Sequence, residues 1–211
     1  MDTSIENFWK KKFAGLKQDA SMKSFPGWRN DCEPDESYVP ARLSLRKDFE
    51  DTSQNVWLVG APGAVGKSTL AKEIAAATGA VYLDLAEAAT VAGNYMVGGR
   101  VYTGLLSAWT TGQAAVLIDA LDEARMRVTQ SGFEAFLSDV ATVAGMGKYP
   151  VVLLGRVGII EEAWTILNEL HSLKPPIFDI ELFEPEEAKR FVRARLNKLA
   201  KAVSANSNTL E

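Results

Sequence analysis

From residue 55 onward, short apolar runs alternate with longer stretches in which apolar residues recur at helical spacing. The apolar runs have the length of strands and cover residues 55–60, 80–85, 114–119, 151–154 and 177–182. Helical spacing covers 66–78, 86–97, 102–111, 131–145, 159–172 and the region after 184, with a glycine loop expected at Gly98-Gly99. This alternation predicts an α/β fold with a five-stranded, mostly parallel sheet and helices on both faces.

Two details of this pattern make specific predictions. The run 114–119 is apolar almost to its end, as expected for a parallel strand that is buried on both faces. In the helix over 131–145, Ser131 and Glu134 have the spacing of a capping box, so we expect the helix to begin there.

The first fifty residues follow a different pattern and predict a helical and extended segment ahead of the sheet. Residues 1–20 have the spacing of an amphipathic helix, and 21–42 contain prolines with little periodicity, which favours an extended connection. A short helix or turn is expected over 43–54. We therefore divide the chain into an extension over 1–50, an α/β domain over 51–204 and a polar tail over 205–211, in which Leu210-Glu211 resembles a cloning remnant.

Composition narrows the classes of function. The chain has 211 residues, 47% hydrophobic and 24% charged, and a net charge of -4, so it lacks an overall nucleic-acid-binding signature. Nucleic acid could bind only through local basic patches such as Lys10-Lys11-Lys12. A single cysteine and a single histidine exclude a disulfide framework, a cysteine zinc site and a histidine triad. Without a signal peptide or an apolar run of membrane-spanning length, we expect a cytoplasmic protein that has no membrane partner.

A glycine-rich stretch joins the first predicted strand to its helix and matches the phosphate-binding P-loop, or Walker A motif. Four residues separate Ala61 from Gly66, and Ala61 is a small residue that the wider form of the motif accepts. Backbone N–H groups of such a loop, together with the helix N-terminus, hold phosphates. The nucleotide-binding residues predicted here are Ala61, Pro62, Gly63, Ala64, Val65, Gly66, Lys67, Ser68 and Thr69.

Within this motif, two side chains have separate predicted roles. Lys67 would reach the β- and γ-phosphates of the nucleotide, and the Ser68 hydroxyl would ligate Mg²⁺. The alternative is a glycine-rich turn between a strand and a helix that has only a structural role.

A second group of candidates follows the apolar strand 114–119. Asp119 lies where the second Mg²⁺ ligand of a P-loop protein, the Walker B carboxylate, is expected, and Asp122 and Glu123 are candidates to orient the attacking water. Arg156 ends the fourth strand and could contact the γ-phosphate. The alternatives are carboxylates that cap a helix and an arginine on the surface. For Asp84, Arg125, Arg127 and His171, capping, solvated or structural roles are expected.

These motifs resemble the STAND class of P-loop ATPases, and its NACHT-like branch in particular. The resemblance covers about residues 55–195 and depends on three segments, the acidic motif Val116–Ala124, the strand Val152–Arg156 and the link Leu182–Ala188. It implies a domain that binds ATP with Mg²⁺, self-associates and drives a fused or partner effector, and several bacterial members of the class act against phage. Ala120 replaces the adjacent glutamate of ordinary AAA+ ATPases, so slow hydrolysis is expected.

Two other functions stay open from the sequence. The segment Gly66–Ile74 with Val81–Asp84 is similar to the openings of gluconate and shikimate kinases, which would make the chain a small-molecule kinase. Such kinases carry an arginine-rich lid after the third or fourth strand, where Arg156 stands nearly alone. A non-catalytic module that docks a partner through the aromatic residues of 1–40 is the third hypothesis.

Overall fold

The computed structural model describes residues 8–16, 21–88 and 91–207 of the chain. Its strands are β1 (Trp28–Arg29), β2 (Leu43–Leu45), β3 (Val56–Ala61), β4 (Val81–Asp84), β5 (Val116–Asp119), β6 (Val151–Arg156) and β7 (Ile177–Ile180). Its helices are α1 (Lys10–Lys12), α2 (Lys67–Thr78), α3 (Tyr95–Thr103), α4 (Leu106–Thr110), α5 (Leu121–Arg127), α6 (Gln130–Met146), α7 (Val157–His171) and α8 (Pro185–Ser207).

All seven strands of the described residues form one sheet, in the order β1-β4-β5-β6-β3-β7-β2. The five central strands run parallel and correspond to the five predicted ones. β1 and β2 add an antiparallel strand at each edge, so the predicted count of five is wrong. The two edge strands have two and three residues, which is too short for an alternating pattern to be visible in the sequence.

Both faces of the sheet are covered, which places the central strands in the interior. Along β3, Val56 and Leu58 belong to the core on the side of α6 and α7, whereas Trp57 and Val59 belong to the core on the side of α2. This alternation is the period of two that a strand imposes on its side chains. Because both sets of side chains are covered, β3, β5 up to Asp119 and most of β6 are apolar.

The predicted extension takes part in both the sheet and the core. Trp9, which precedes α1, is fully buried against the rings of Trp57 and Phe178, with ring centroids 5.7 and 5.8 Å away. The segment 30–42, called the strap below, connects β1 at one edge of the sheet with β2 at the other. On its way it passes α2, where Asp35 N donates to Glu73 Oε1 at 2.7 Å. The boundary at residue 50 stays a prediction.

Several details differ from the predictions, and the helix expected over 86–97 begins only at Tyr95. Gly98 and Gly99 lie inside α3 instead of in a loop, because Gly99 provides room for the ring of Trp28, which would be 2.5 Å from an added Cβ. α6 begins slightly earlier than expected, with its N-cap at Thr129 instead of Ser131, since Thr129 Oγ1 accepts the capping bond from Gly132 N. β2 occupies part of 43–54, where a helix or turn was expected.

At the chain ends, only part of the predictions can be compared with the structure. Residues 1–7 and 17–20 of the predicted first helix, and 208–211 of the predicted tail, lie outside the described residues. α8 continues to Ser207, into the predicted tail. None of the helices in the described ranges combines the length and the apolar character needed to cross a membrane.

Candidate functional site

The predicted P-loop connects the end of β3 to the start of α2. Two of its residues have left-handed backbones, Ala64 at φ 61° and Gly66 at φ 91°. An added Cβ on Gly63 or Gly66 would meet nothing within 4 Å, so the backbone there borders open space. No side chain of the described residues caps α2. The free amide groups at its start are therefore available for an anion, as the phosphate-binding mechanism requires.

Lys67, the first residue of α2, makes a hydrogen bond back to the start of the loop. Its ammonium donates an exposed hydrogen bond to the Pro62 carbonyl at 3.1 Å, and the residue as a whole is half-buried. An exposed bond of this kind contributes little to stability, so the side chain can change partner at small cost. The lysine is thus held at the mouth of the loop, where a bound phosphate would meet it.

The predicted acidic residues lie where β5 ends and α5 begins. Asp119 is the last residue of β5, and Ala120 turns the chain into α5 with a left-handed φ of 61°. For a residue with a Cβ, that conformation costs on the order of 1 kcal/mol, and such strain is often found at functional sites. The turn places Asp122 and Glu123 in the first turn of α5, a helix that was not predicted.

One cavity of about 340 Å³ brings these residues together. It lies at the carboxyl end of the parallel strands, where ligands bind in open α/β sheets. Its lining contains ten of the predicted site residues, and the whole lining is Gly63, Ala64, Gly66, Lys67, Ser68, Thr69, Asp119, Ala120, Asp122, Glu123 and Arg156. Of the predicted residues, Ala61, Pro62 and Val65 are outside this lining.

Asp119 is the most deeply buried of the three carboxylates, with 2% of its surface exposed. The hydroxyl of Tyr82 donates a hydrogen bond to Asp119 Oδ2 at 2.8 Å. Burial, followed by the charge of Asp119, raises the pKa of Tyr82 above its ordinary value. The phenol therefore stays protonated and acts as a permanent donor to this carboxylate.

Asp122 and Arg156 form an ion pair at the edge of the cavity, with 2.9 Å between Asp122 Oδ2 and Arg156 Nε. The Asp122 side chain is 9% exposed and that of Arg156 is 63% exposed, so the arginine can reach outward. Two carboxylate oxygens, Asp122 Oδ1 and Glu123 Oε2, are buried without a hydrogen-bond partner among the described residues. Buried polar atoms without partners are costly, which indicates that a ligand or water completes this site.

The donors around the cavity suit Mg²⁺. They offer a hydroxyl at Ser68 and carboxylate oxygens at Asp119, Asp122 and Glu123, and hard oxygen ligands are those that this ion prefers. The described residues contain no cluster of three or more His, Cys, Asp or Glu side chains able to hold a metal by themselves.

A second, mostly apolar cavity of about 540 Å³ adjoins the first and shares Ala64, Gly66 and Thr69 with it. Its other walls come from the strap, from the end of β7 and its link to α8, and from α8 itself. The whole lining is Tyr38, Val39, Ala41, Ala64, Val65, Gly66, Thr69, Ile180, Glu181, Leu182, Phe183, Phe191 and Arg195. This cavity was not predicted, although the apolar pair Leu182-Phe183 just before the last helix was a signal in the sequence.

The remaining polar residues considered from the sequence have structural contacts. Asp84 Oδ1 accepts a bond from Ala86 N at 3.0 Å, which is the capping role expected for it. His171 Nε2 is 2.9 Å from Ser138 Oγ, so its role is structural as well. Arg125 pairs with Glu162 at 2.9 Å, and Arg127 donates to backbone carbonyls, including that of Ala88 at 3.1 Å. Neither arginine is the solvated side chain that was expected.

Comparison with known proteins gives only distant likenesses. No family model and no curated protein matches the chain. Among solved structures, it is similar to a chain from work on the structural basis of katanin self-assembly, with 15% identity, a TM-score of 0.42, and coverage of 65% of this chain and 44% of that one. It is also similar to the FIGL-1 AAA domain in complex with ADP, with 18% identity, a TM-score of 0.42, and coverage of 66% and 47%. This chain thus spans less than half the length of either, and neither protein's activity is transferred to it.

Proposed function

We propose that this chain is an Mg²⁺-dependent, slowly hydrolysing ATPase that acts as a regulatory switch, a STAND module with NACHT-like motifs. One observation carries the proposal, namely that the P-loop and the carboxylates Asp119, Asp122 and Glu123 line a single cavity. An isolated glycine-rich turn would not need acidic residues in the same cavity. The sequence resemblance extends the proposal in two ways. The bound nucleotide would control self-association or the activity of an effector, and the protein would act in defence.

The phosphates would lie against the loop and the start of α2. Lys67 would leave the Pro62 carbonyl and contact the β- and γ-phosphates. Ser68 and Asp119, which both line the cavity, would hold Mg²⁺ between them. When bound, the ion neutralises charge on the β- and γ-phosphate oxygens. Orientation of the water and stabilisation of the developing charge would then depend on the side chains at the edge of the cavity.

The nucleoside would occupy the adjoining apolar cavity. Its walls include Tyr38, Phe183 and Phe191, and aromatic rings suit the flat face of a base. Because this cavity and the phosphate cavity share three P-loop residues, one molecule with a base and a phosphate chain can fill both. This continuity supports a nucleotide as the ligand instead of a free phosphate.

Slow hydrolysis follows from the way the two candidate acids are held. Asp122 is engaged by Arg156, which reduces its availability to accept a proton. Glu123 retains a buried oxygen without a partner and is the better candidate to orient the water. If Arg156 moves to the γ-phosphate, its ion pair with Asp122 breaks. Contact of the arginine with the phosphate and release of the Asp122 carboxylate would therefore occur together.

The kinase hypothesis finds less support. β6 ends at Arg156 and α7 begins at Val157, so no lid segment separates them. A kinase would transfer the γ-phosphate from ATP to a hydroxylated metabolite, whereas the proposed switch releases it to water. Release of phosphate from ATP alone, without an acceptor, would count against the kinase.

Substitution of Lys67→Ala tests the proposal directly. We expect calorimetry to show ATP binding to the full chain in the presence of Mg²⁺ and none to this variant, because the cation for the β- and γ-phosphates is lost. Lys174→Ala is the matched control, since it removes an exposed lysine just before β7, at the end of the parallel strands opposite to the P-loop. Unchanged ATP affinity in Lys67→Ala would refute the phosphate-binding role of this loop.

A further inference from the structure

Tyr82 lies next to the phosphate cavity without lining it. It is fully buried in β4, two residues before Asp84, and Asp84 is the register partner of Asp119 on β5. Its hydroxyl is 2.8 Å from Asp119 Oδ2 and 3.4 Å from Asp84 Oδ2. The hydroxyl has one proton to donate, and the shorter distance assigns that proton to Asp119.

This hydrogen bond differs from those that the buried polar groups of Tyr149 and Trp57 make. Tyr149 and Trp57 bond to backbone carbonyls, those of Ala14 and Gln54. Such bonds complete the backbone and serve the fold. Tyr82 instead bonds to the carboxylate that shares the cavity with the P-loop, so its hydroxyl acts on a functional group.

The bond restricts the orientation of the carboxylate. The last torsion of an aspartate side chain is broad and roughly two-fold, so a carboxylate without partners can rotate. A hydrogen bond from a fixed donor to Oδ2 selects one orientation and leaves Oδ1 free for a metal. The donor is itself fixed, because Tyr82 has no exposed surface and the Lys72 ammonium covers its ring at 5.3 Å.

We propose that Tyr82 is a positioning residue for the Mg²⁺ site, which holds Asp119 so that its second oxygen meets the ion beside Ser68. The inference depends on the proposed function, since it requires a nucleotide with Mg²⁺ in the cavity. Tyr82 touches neither the nucleotide nor the ion and acts through Asp119. Partners of this kind commonly change metal affinity by about 10- to 100-fold when they are removed.

The Mg²⁺ dependence of ATP binding in Tyr82→Phe tests this role. We expect the variant to bind ATP as the wild type does in EDTA, and to need about tenfold more Mg²⁺ for the half-maximal gain in ATP affinity. Tyr149→Phe is the matched control, because it also removes one buried hydroxyl, at the opposite end of the sheet. That control is expected to lower the melting temperature while the Mg²⁺ dependence stays at the wild-type value.

Each outcome decides the matter. A wild-type Mg²⁺ requirement in Tyr82→Phe, or an equal increase in both variants, would overturn the positioning role and leave the proposed function intact. A wild-type chain that binds no ATP, with or without Mg²⁺, would overturn the proposed function itself.

A second measurement uses the wild-type fold and does not depend on the variant. With 3-fluorotyrosine in the full chain, the ¹⁹F signal of Tyr82 should shift when Mg²⁺ is added to the ATP complex, whereas that of Tyr149 should not. A Tyr82 signal that does not respond to Mg²⁺ would overturn the inference.

Discussion

Each carboxylate of the phosphate cavity is restrained in a different way. Tyr82 holds Asp119, Arg156 holds Asp122, and Glu123 keeps one oxygen without a partner. The Arg156–Asp122 pair is exposed on the arginine side, and such pairs are usually worth about 0–1 kcal/mol. Contact with a γ-phosphate can therefore replace it easily. These three different surroundings support the three tasks proposed above, with Asp119 for the metal, Asp122 for the arginine and Glu123 for water.

Substitution of Glu123→Gln tests this assignment. We expect phosphate release at saturating ATP to fall about 100-fold, the lower range for loss of a general base, while ATP affinity stays at the wild-type value. Glutamine keeps the size of the side chain and removes its ability to accept the proton. Steady-state phosphate release, with ATP affinity measured separately by calorimetry, distinguishes the two effects.

The control is Glu169→Gln, which changes an exposed glutamate on α7 away from the cavity. It should hydrolyse ATP at the wild-type rate. If Glu123→Gln did the same, while Asp122→Asn lost the activity, Asp122 and not Glu123 would be the residue that orients the water.

At the level of single residues, the sequence was informative where the chemistry is local. The loop residues Gly63 to Thr69 and the acids after β5 could be predicted because each motif lies within a few residues of one strand end. Tyr82 could not be assigned a role in the same way. Its partner Asp119 lies on another strand, and only the register of β4 against β5 brings the two together.

At the scale of elements, the strap connects the apolar cavity to α8. Asp35 is the centre of this connection, because it pairs with Arg195 at 3.1 Å and Lys198 at 2.9 Å on α8 and accepts bonds from Ser37. Tyr38 and Val39 of the strap and Phe191 of α8 face the same cavity. Occupation of that cavity by a base would therefore act on both elements.

Substitution of Asp35→Asn should loosen this connection. We expect the free energy of unfolding at neutral pH to fall by about 1 kcal/mol, the usual size for hydrogen bonds and ion pairs at a partly exposed carboxylate. Urea unfolding followed by circular dichroism gives this value. Glu36→Gln is the matched control, since Glu36 pairs with Lys201 at 3.4 Å on the open surface and should contribute almost nothing.

The effect of Asp35→Asn should depend on pH with a definite sign. Bonds from Lys198 and Ser37 lower the pKa of Asp35 in the folded chain. A carboxyl with a lowered folded pKa adds stability above its unfolded pKa of about 3.9, and this stability is lost as the pH falls further. The difference between wild type and variant should thus shrink below about pH 4. A difference that grew on acidification would contradict the pairing.

Elements that show their own pattern of apolar residues in the sequence were predicted. Elements that form only because of a neighbouring element were not. The five parallel strands each carry an apolar run, but β1 and β2 become strands only because β4 and β7 offer open edges to pair with. α3 shows the same limit. Gly98 and Gly99 predict a break, yet the ring of Trp28, far away in sequence, needs the space over Gly99 and the helix continues.

At the scale of the whole molecule, the first fifty residues cover both edges and part of one face of the sheet. β1 covers the edge of β4, β2 covers the edge of β7, and Trp9 and Phe13 are buried on the face that carries α2. Open edges of a sheet offer unpaired N–H and C=O groups to other chains and favour aggregation. The extension therefore completes the core in addition to any partner it docks.

A fragment of residues 51–204 tests how far the P-loop domain stands alone. It would lack both edge strands and would expose apolar surface of Trp57 and Phe178 that Trp9 now covers, each apolar Å² being worth about 25 cal/mol. We expect it to aggregate in size-exclusion chromatography, or to unfold without a cooperative transition, under conditions in which the full chain elutes as one species. Addition of ATP and Mg²⁺ should not rescue it, because the fragment also lacks Tyr38 and Val39 from the wall of the apolar cavity. A cooperatively folding fragment that binds ATP would instead show that 1–50 is a separable module, and would favour the docking hypothesis for that segment.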